Sequence, residues 1–281
     1  MTAKVIRVFP RRTRATPTDD MAFVGEPLFP SMLPEADEVH ISATFTWDKS
    51  EAERLAELWS AHCDNVKIGG PAYDDPGGEF EPGMYLKKGY VITSRGCPNK
   101  CSFCFVPKRE GKLRMLKVKS GHDILDNNFL ATPQEHKAKV YEMLGRQYKG
   151  RRFSGGLEAA RLSEYDLHEL NTIAPGIEAL FLAYDQPAQK QSVEGAIKLL
   201  KDIKLNRSNL YVYVLCGYRS DTIPEADERL EWIKSLGATP FAMFYRGNNG
   251  KLVIDAEWRR FIRAWSRPGA IYSKHHEALK K

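Results

Sequence analysis

From Gly89 onward, short apolar runs alternate with stretches of amphipathic helical spacing. The runs IEALFLAY (Ile177 to Tyr184) and LYVYVL (Leu210 to Leu215) are the clearest, and each precedes such a stretch. Strands that are apolar on both faces are typical of a parallel sheet covered by helices. Six strands of this kind are too few for a complete eight-stranded barrel. The pattern therefore predicts an α/β fold, either a partial barrel or an open doubly wound sheet, with function at the carboxyl ends of the strands.

A smaller α/β unit precedes this alternation. It has one helix, beginning near Ser50, and three short runs that predict strands: Val5 to Phe9, Glu38 to Phe45 and Asn65 to Ile68. The segment PAYDDPGGEFEPG, from Pro71 to Gly83, is dense in Pro, Gly and acidic residues, which indicates a boundary. We therefore predict a small N-terminal α/β domain over 1–83, a sheet domain over 84–250 and a helical tail over 251–281.

Composition narrows the class of protein. Charged residues make up 28% of the 281 residues, which argues against global disorder. No apolar run approaches the roughly 18 residues of a membrane span, and the opening MTAKVIRVFPRRTR lacks the features of a secretory signal. Three of the five cysteines crowd into one short segment, a grouping that in a reducing compartment binds metal more often than it forms disulfides. We therefore expect a cytoplasmic protein without membrane contact.

The formal net charge of +6 is unevenly distributed. Basic residues are concentrated between Lys100 and Ser120, and a second basic stretch, GRQYKGRR, runs from Gly145 to Arg152. Such stretches are commonly solvated surface, but they also attract polyanions such as RNA, DNA or a phosphorylated small substrate. In the tail, aromatic residues at helical spacing alternate with arginines and favour a packing helix over a nucleic-acid surface: Trp258, Phe261 and Trp265.

The grouped cysteines, Cys97, Cys101 and Cys104, have the spacing C-x3-C-x2-C. Three thiolates on one loop can hold three irons of a [4Fe–4S] cube and leave an open coordination position on the fourth. A structural zinc site is closed by four ligands, and a nearby histidine such as His122 could supply the fourth. A ferredoxin-type carrier would need a fourth thiolate, whereas Cys63 and Cys216 stand alone. The spacing therefore favours an iron–sulfur site, with zinc as the alternative.

With Phe103 in an aromatic position and an apolar run before it, the motif resembles the C-x3-C-x-Φ-C signature of the radical S-adenosylmethionine (SAM) superfamily. The resemblance extends over about Gly89 to Arg246. It implies a partial (βα)6 TIM-like barrel that binds a [4Fe–4S] cluster and SAM. In that superfamily one electron from the cluster cleaves SAM to methionine and a 5′-deoxyadenosyl radical, which abstracts hydrogen from the substrate. A reductase such as flavodoxin or ferredoxin is the implied electron donor.

Four further stretches resemble a subset of that superfamily often found with cobalamin-binding domains: ILDNNFLA, GGLEAARLSE, FLAYDQP and YVLCGYRSDTIPEADERL. In that subset the N-terminal region is Rossmann-like. This chain has no D-x-H-x-x-G cobalamin-ligand motif, so we predict a vestigial Rossmann-like subdomain that does not bind cobalamin. Only two cysteines remain outside the motif, which argues against a second cluster and against methylthiotransferases.

The resemblance also implies that polar residues after the strands contact SAM or the substrate. Glu158 and Arg161 would hold ribose hydroxyls and the methionyl carboxylate, although a surface ion pair is the alternative. An Asx turn is the alternative for the DNN segment, and a helix cap is the alternative for Asp185. The remaining implied contacts are Asp126, Asn127 and Asn128 near the SAM amino group or the substrate, Gly155 and Gly156 beside a ligand, and Gly217 and Tyr218 near adenine. For the two adjacent glycines a sharp turn is the alternative.

Three functions of different classes follow. The first is a radical SAM enzyme, for which the basic loop favours a nucleotide or nucleic-acid substrate. The second is a non-catalytic nucleic-acid-binding protein with a structural zinc or a redox-sensing iron–sulfur site. An electron carrier that binds no SAM is a third. Metal content separates the first from a zinc protein, since the enzyme would hold about four irons with sulfide and the zinc protein one zinc.

Overall fold

The computed structural model describes residues 3–27, 30–75, 77–148, 150–247 and 254–280. Within them the protein is mixed α/β, with two parallel sheets and one short antiparallel strand pair. This confirms the predicted α/β class. The predicted boundary between residues 250 and 251 lies outside the described residues.

The N-terminal sheet is parallel and has the order β2-β1-β3-β4. Its strands are Val5–Phe9 (β1), Ala22–Val24 (β2), Glu38–Ser42 (β3) and Val66–Gly69 (β4). Helix α1 (Lys49–Trp59) buries Leu55 and Trp59 against this sheet. The sequence predicted three strands, and β2 was missed because three residues are too few to show an alternating pattern.

The larger sheet is also parallel, and its strands follow one another in chain order, β5-β8-β9-β10-β11-β12. Its strands are Tyr90–Val91 (β5), Asp123–Ile124 (β8), Arg151–Leu157 (β9), Ile177–Tyr184 (β10), Leu210–Cys216 (β11) and Thr239–Phe244 (β12). Among the described residues β5 and β12 do not pair with each other, so this sheet has two edges.

Helices connect the strands of the larger sheet: α3 (Gln134–Gly145), α4 (Glu164–Ile173), α5 (Lys190–Asp202) and α6 (Ile223–Ser235). Crossovers between neighbouring parallel strands are right-handed, so successive helices lie on the same face of the sheet. Strand β11 accordingly buries every second residue, Leu210, Val212 and Val214. The intervening Tyr211 and Tyr213 stack on Phe181 of β10 with ring centroids 4.8 and 4.4 Å apart, forming an aromatic surface on the opposite face.

A small antiparallel pair closes the loop that carries the cysteines. Strand β6 (Ser94–Arg95) pairs with β7 (Arg114–Met115). The segment between them, residues 96–113, is called the cysteine loop below, and it contains one short helix, α2 (Val106–Arg109). The basic segment after the cysteines therefore forms a loop with one short helix and one short strand.

The tail forms α7 (Ala256–Trp265), α8 (Pro268–Ile271) and α9 (His276–Lys280). Phe261 and Trp265 are buried, and Trp265 Nε1 donates to Asp227 Oδ1 of α6 at 2.8 Å. The prediction of a packing helix is therefore confirmed. Within the described residues, no helix combines the length and apolar character needed to cross a bilayer.

The close approach of β9 to the end of β8 gives the first testable prediction. A Cβ at Gly155 would overlap the Asp126 carbonyl oxygen, which belongs to the backbone and cannot rotate away. We expect Gly155→Ala to lower the free energy of unfolding by about 1–3 kcal/mol. Gly195 in α5 has open space around it, so Gly195→Ala should raise the free energy by about 0.5–1 kcal/mol. Urea denaturation measures both, and a Gly155→Ala variant of wild-type stability would contradict the prediction.

Candidate functional site

The cysteine loop begins at the carboxyl edge of the larger sheet, directly after β6. Cys97, Cys101 and Cys104 are partly exposed and form no disulfide. The first residue of the loop, Gly96, donates its N–H to Asn127 Oδ1 at 3.0 Å. Its φ of +78° and its contact with the Lys112 carbonyl both require glycine. The predicted contact residue Asn127 therefore anchors the start of the loop.

The sulfur atoms are spaced more widely than the ligands of one zinc ion. Zn–S bonds of about 2.3 Å place tetrahedral ligands about 3.8 Å apart. Among the described residues, the three cysteine sulfurs do not form a group within 4.8 Å of one another. His122 packs against Gly89 at the amino end of β5, the opposite edge of the sheet from the loop. In a four-iron cube each thiolate binds a different iron, so the three sulfurs need not converge on a single ion.

A nearby positive charge would favour ionisation of the cysteine thiols. Burial raises the pKa of Cys101 and Cys104 above the ordinary value of a thiol, and the other cysteines of the group raise it further. Asp185 and Glu158 act in the same direction on Cys101 through their negative charge. Because metals bind thiolates rather than thiols, a positively charged metal centre would offset these effects. The chemistry of the donor set therefore fits a thiolate-bound metal centre, whether iron–sulfur or zinc.

Glu158, at the carboxyl end of β9, joins three parts of the site. Its Oε2 accepts hydrogen bonds from Asn128 Nδ2 (2.6 Å), Asn99 Nδ2 (2.9 Å) and Arg161 Nε (2.6 Å). Burial raises its pKa, but these donors outweigh burial and hold the pKa below the ordinary value. Arg161 also donates to Asn99 Oδ1 at 3.3 Å. The Glu158–Arg161 pair is therefore a linked part of the site, and its predicted contact with SAM stays a prediction.

Asn128 connects this carboxylate to the cysteines. Its Nδ2 lies 3.4 Å from Cys97 Sγ as well as 2.6 Å from Glu158 Oε2. The residue is 4% exposed, and its Oδ1 has no hydrogen-bond partner among the described residues. A buried acceptor without a donor costs about 1–3 kcal/mol. A ligand that brings an N–H or O–H group beside Cys97 would satisfy it.

The carboxylate of Asp126 finds its hydrogen-bond donors within the protein. Its carboxylate accepts hydrogen bonds from Thr93 N (2.6 Å), Thr93 Oγ1 (2.6 Å) and Ser94 Oγ (2.7 Å). Burial raises its pKa despite these donors. Asp126 thereby fixes the backbone that leads into the cysteine loop. A direct contact of Asp126 with a ligand stays a prediction.

Asp185 follows β10 and differs from the other acids of the site. No side-chain hydrogen bond or ion pair of its carboxylate is found among the described residues, and burial raises its pKa to about 6. Its backbone N–H is capped by Gln189 Oε1 at 2.7 Å. Gln186 and Gln189 form the capping box of the turn that follows, so the carboxylate of Asp185 is not the helix cap. It remains available to a ligand near the cysteines.

The glycine–tyrosine segment after β11 packs on the cysteine loop. Tyr218 lies edge-on to Phe103 with ring centroids 5.8 Å apart, and its hydroxyl donates to Ser102 Oγ at 3.1 Å. Gly217 donates its N–H to Asp221 Oδ2 at 2.8 Å. Gly156, in β9, faces the Tyr213 ring on the aromatic surface. Tyr218 and Phe103 thus brace the loop against the end of β11.

The two basic stretches have different uses. Arg151 donates to the carbonyls of Leu144, Gly145 and Ile173, so it caps the C-terminal end of α3. Arg152 pairs with Asp123 and Glu178. These two arginines of the second stretch are therefore used within the fold. In the first stretch, three exposed lysines of the cysteine loop form no ion pair among the described residues: Lys100, Lys108 and Lys112.

Two features were not predicted from the sequence. Asn99 lies within the cysteine spacing itself and contacts both Cys97 and Glu158, so the motif contained a signal for it. Trp47 follows β3 of the N-terminal sheet, and the guanidinium of Arg246, which follows β12, lies 4.4 Å from the centre of its ring. The carboxyl edges of the two sheets therefore meet near the loop, a contact with no signal in the sequence.

Comparison of the chain with protein-family models and with curated proteins finds no match. A proposal for the function therefore rests on the residues of this chain.

Proposed function

We propose that this protein is a radical SAM enzyme in which Cys97, Cys101 and Cys104 hold a [4Fe–4S] cluster. The observation that carries the proposal is Asn128. Its amide contacts Cys97 Sγ and Glu158, while its buried Oδ1 lacks a donor among the described residues. The amino group of SAM, bound beside the cluster, would be that donor.

When bound, the reduced cluster supplies the electron that cleaves SAM, and the resulting 5′-deoxyadenosyl radical abstracts a hydrogen atom from the substrate. The protein's own residues would bind SAM and orient it. Asn128 would accept from the amino group, and Arg161, held by Glu158, would donate to the methionyl carboxylate. The partly buried carboxylate of Asp185 accepts from a ligand hydroxyl.

The finer features of the fold belong to the same proposal. Six parallel strands in chain order, with successive helices on one face, are compatible with a partial (βα)6 barrel. We read the N-terminal sheet as a vestigial Rossmann-like subdomain that does not bind cobalamin. An external reductase such as flavodoxin or ferredoxin would supply the electron.

For the substrate we propose a nucleotide or nucleic acid. Lys100, Lys108 and Lys112 place unpaired positive charge on the cysteine loop itself, where it would attract phosphate groups. Trp47 and Arg246 lie where the two sheet edges meet, and aromatic and guanidinium planes are surfaces on which unpaired bases stack.

Anaerobic reconstitution with iron and sulfide, followed by reduction with dithionite in the presence of SAM, tests the proposal. We expect about four irons per chain and 5′-deoxyadenosine from the wild type. The Cys97, Cys101 and Cys104 triple alanine variant should yield neither, and Cys63→Ala is the matched control that should behave as wild type. One zinc that replaces the iron and is lost in the triple alanine variant would overturn the proposal in favour of a zinc-containing nucleic-acid-binding protein. A four-iron cluster that binds no SAM would instead indicate an electron carrier.

A further inference from the structure

Three potential metal ligands meet where the tail packs on α6. Glu231 of α6 and His276 and Glu277 of α9 each offer one ligand atom, and these atoms lie within 4.8 Å of one another. Helix α6 starts after the carboxyl end of β11 and returns to the amino end of β12. Glu231 lies in its second half, so this group is at the opposite edge of the sheet from the cysteine loop.

His276 indicates that the group is more than an acidic cluster. The residue is 4% exposed, and neither ring nitrogen has a hydrogen-bond partner among the described residues. Trp265 holds the imidazole edge-on, with ring centroids 4.3 Å apart. Burying two polar nitrogens without partners is costly. Coordination of a cation by one of them would remove part of that cost.

The charges around His276 leave an excess of carboxylate. Lys280 Nζ lies 3.0 Å from Asp227 Oδ2, 3.2 Å from Glu231 Oε1 and 2.9 Å from Glu277 Oε1. Lys234 lies 3.4 Å from Glu231 Oε2. Two ammonium groups therefore face three carboxylates, and one lysine bridges all three acids. A metal ion that took the two glutamates would compete directly with that lysine.

We propose that Glu231, His276 and Glu277 form a binding site for one divalent transition-metal ion such as Zn²⁺, and that Lys280 competes with the ion for the two glutamates. Imidazole and carboxylate are zinc ligands, with bonds of about 2.0–2.2 Å. Ligand atoms of such a site lie about 3.4 Å apart, so binding requires these atoms, now within 4.8 Å of one another, to move closer together. A bound ion would tie α9 to α6 and secure the tail. The proposal does not depend on the function proposed for the cysteine loop.

Zinc titration of the full chain by calorimetry tests the site. The background is the Cys97, Cys101 and Cys104 triple alanine variant, which removes the competing thiolates. We expect binding of one Zn²⁺ per chain, weakened at least about tenfold by His276→Asn and by Glu277→Gln. The exposed neighbour His275 provides the matched control, because His275→Asn should leave affinity unchanged. Lys280→Met should tighten binding about tenfold, since it removes the competing cation.

Glu277 is 73% exposed at its side chain, so Glu277→Gln tests the site even if His276→Asn does not fold. Zinc binding that Glu277→Gln leaves unchanged would overturn the proposed ligand set. An affinity lowered equally by His275→Asn would do the same, as would the absence of binding at millimolar zinc. If Lys280→Met binds no tighter than its parent, the lysine does not compete with the ion and that part of the proposal is wrong.

Discussion

Glu158→Gln is expected to lower the rate of SAM cleavage about 100-fold while the chain retains its iron. Glu158 Oε2 accepts from Asn128, Asn99 and Arg161 at once. A glutamine has one carbonyl oxygen and no charge, so at least one of these charge-assisted bonds must weaken. A displacement of a positioning group by about 1 Å can cost about 100-fold in rate. Iron analysis and 5′-deoxyadenosine formation on the same sample separate loss of positioning from loss of the cluster.

Glu164→Gln is the matched control for this variant. Glu164 is exposed in the first turn of α4, six positions along the chain, and should tolerate the change. Because Glu158 acts through Asn128, the double variant Glu158→Gln with Asn128→Ala should be only slightly slower than the worse single variant. Wild-type rates in Glu158→Gln would show that these hydrogen bonds do not position SAM.

Asp166→Ala is expected to produce the largest loss of stability, about 3–5 kcal/mol in the free energy of unfolding. Asp166 is fully buried and pairs with Lys137 Nζ at 2.9 Å. It also accepts from Tyr141 at 3.1 Å and, across the start of α4, from the Ser163 N–H at 3.2 Å. Removing the carboxylate would leave Lys137, 9% exposed at its side chain, as an unpaired cation. Urea denaturation at pH 7, followed by circular dichroism, measures the loss.

The exposed pair between Arg146 and Glu142 provides the comparison. Both side chains are more than half exposed, so Glu142→Ala should cost no more than about 0.5 kcal/mol. Lys137→Met combined with Asp166→Ala should be less damaging than the sum of the single variants, because no buried charge is left unpaired. A loss below about 1 kcal/mol for Asp166→Ala would mean that Lys137 reaches solvent without its partner.

Sequence patterns among neighbouring residues predicted the strands and helices whose formation depends on those residues alone. The apolar runs Ile177 to Tyr184 and Leu210 to Leu215 lie in β10 and β11, where helices cover one face of the sheet and aromatic rings pack on the other. The aromatic residues of the tail predicted α7, because their spacing places them on one face of a helix. Strand β2 was not predicted, because a segment of three residues is too short to show an alternating pattern.

Composition alone did not distinguish basic residues that are used inside the fold from those that stay on the surface. The sequence predicted solvated surface for Arg151 and Arg152, with polyanion binding as the alternative, yet they bond to the end of α3 and to Asp123 and Glu178. A guanidinium is used internally wherever folding brings carbonyls or carboxylates to it, and those partners are remote in the chain. The lysines of the cysteine loop find no such acceptor among the described residues, and their charge stays on the surface.

The sequence by itself determined the α/β class and grouped the three cysteines on one loop, because strand burial and ligand spacing are local properties of the chain. The tertiary structure decided which polar residues meet those cysteines. Asn99 and Glu158 are 59 positions apart, and Asn128 and Glu158 are 30 apart. They become hydrogen-bond partners because parallel strands in chain order bring successive carboxyl ends to the same edge. The same folding joins His276 of the tail to Glu231 of α6, a contact that depends on how the tail packs and not on any pattern within it.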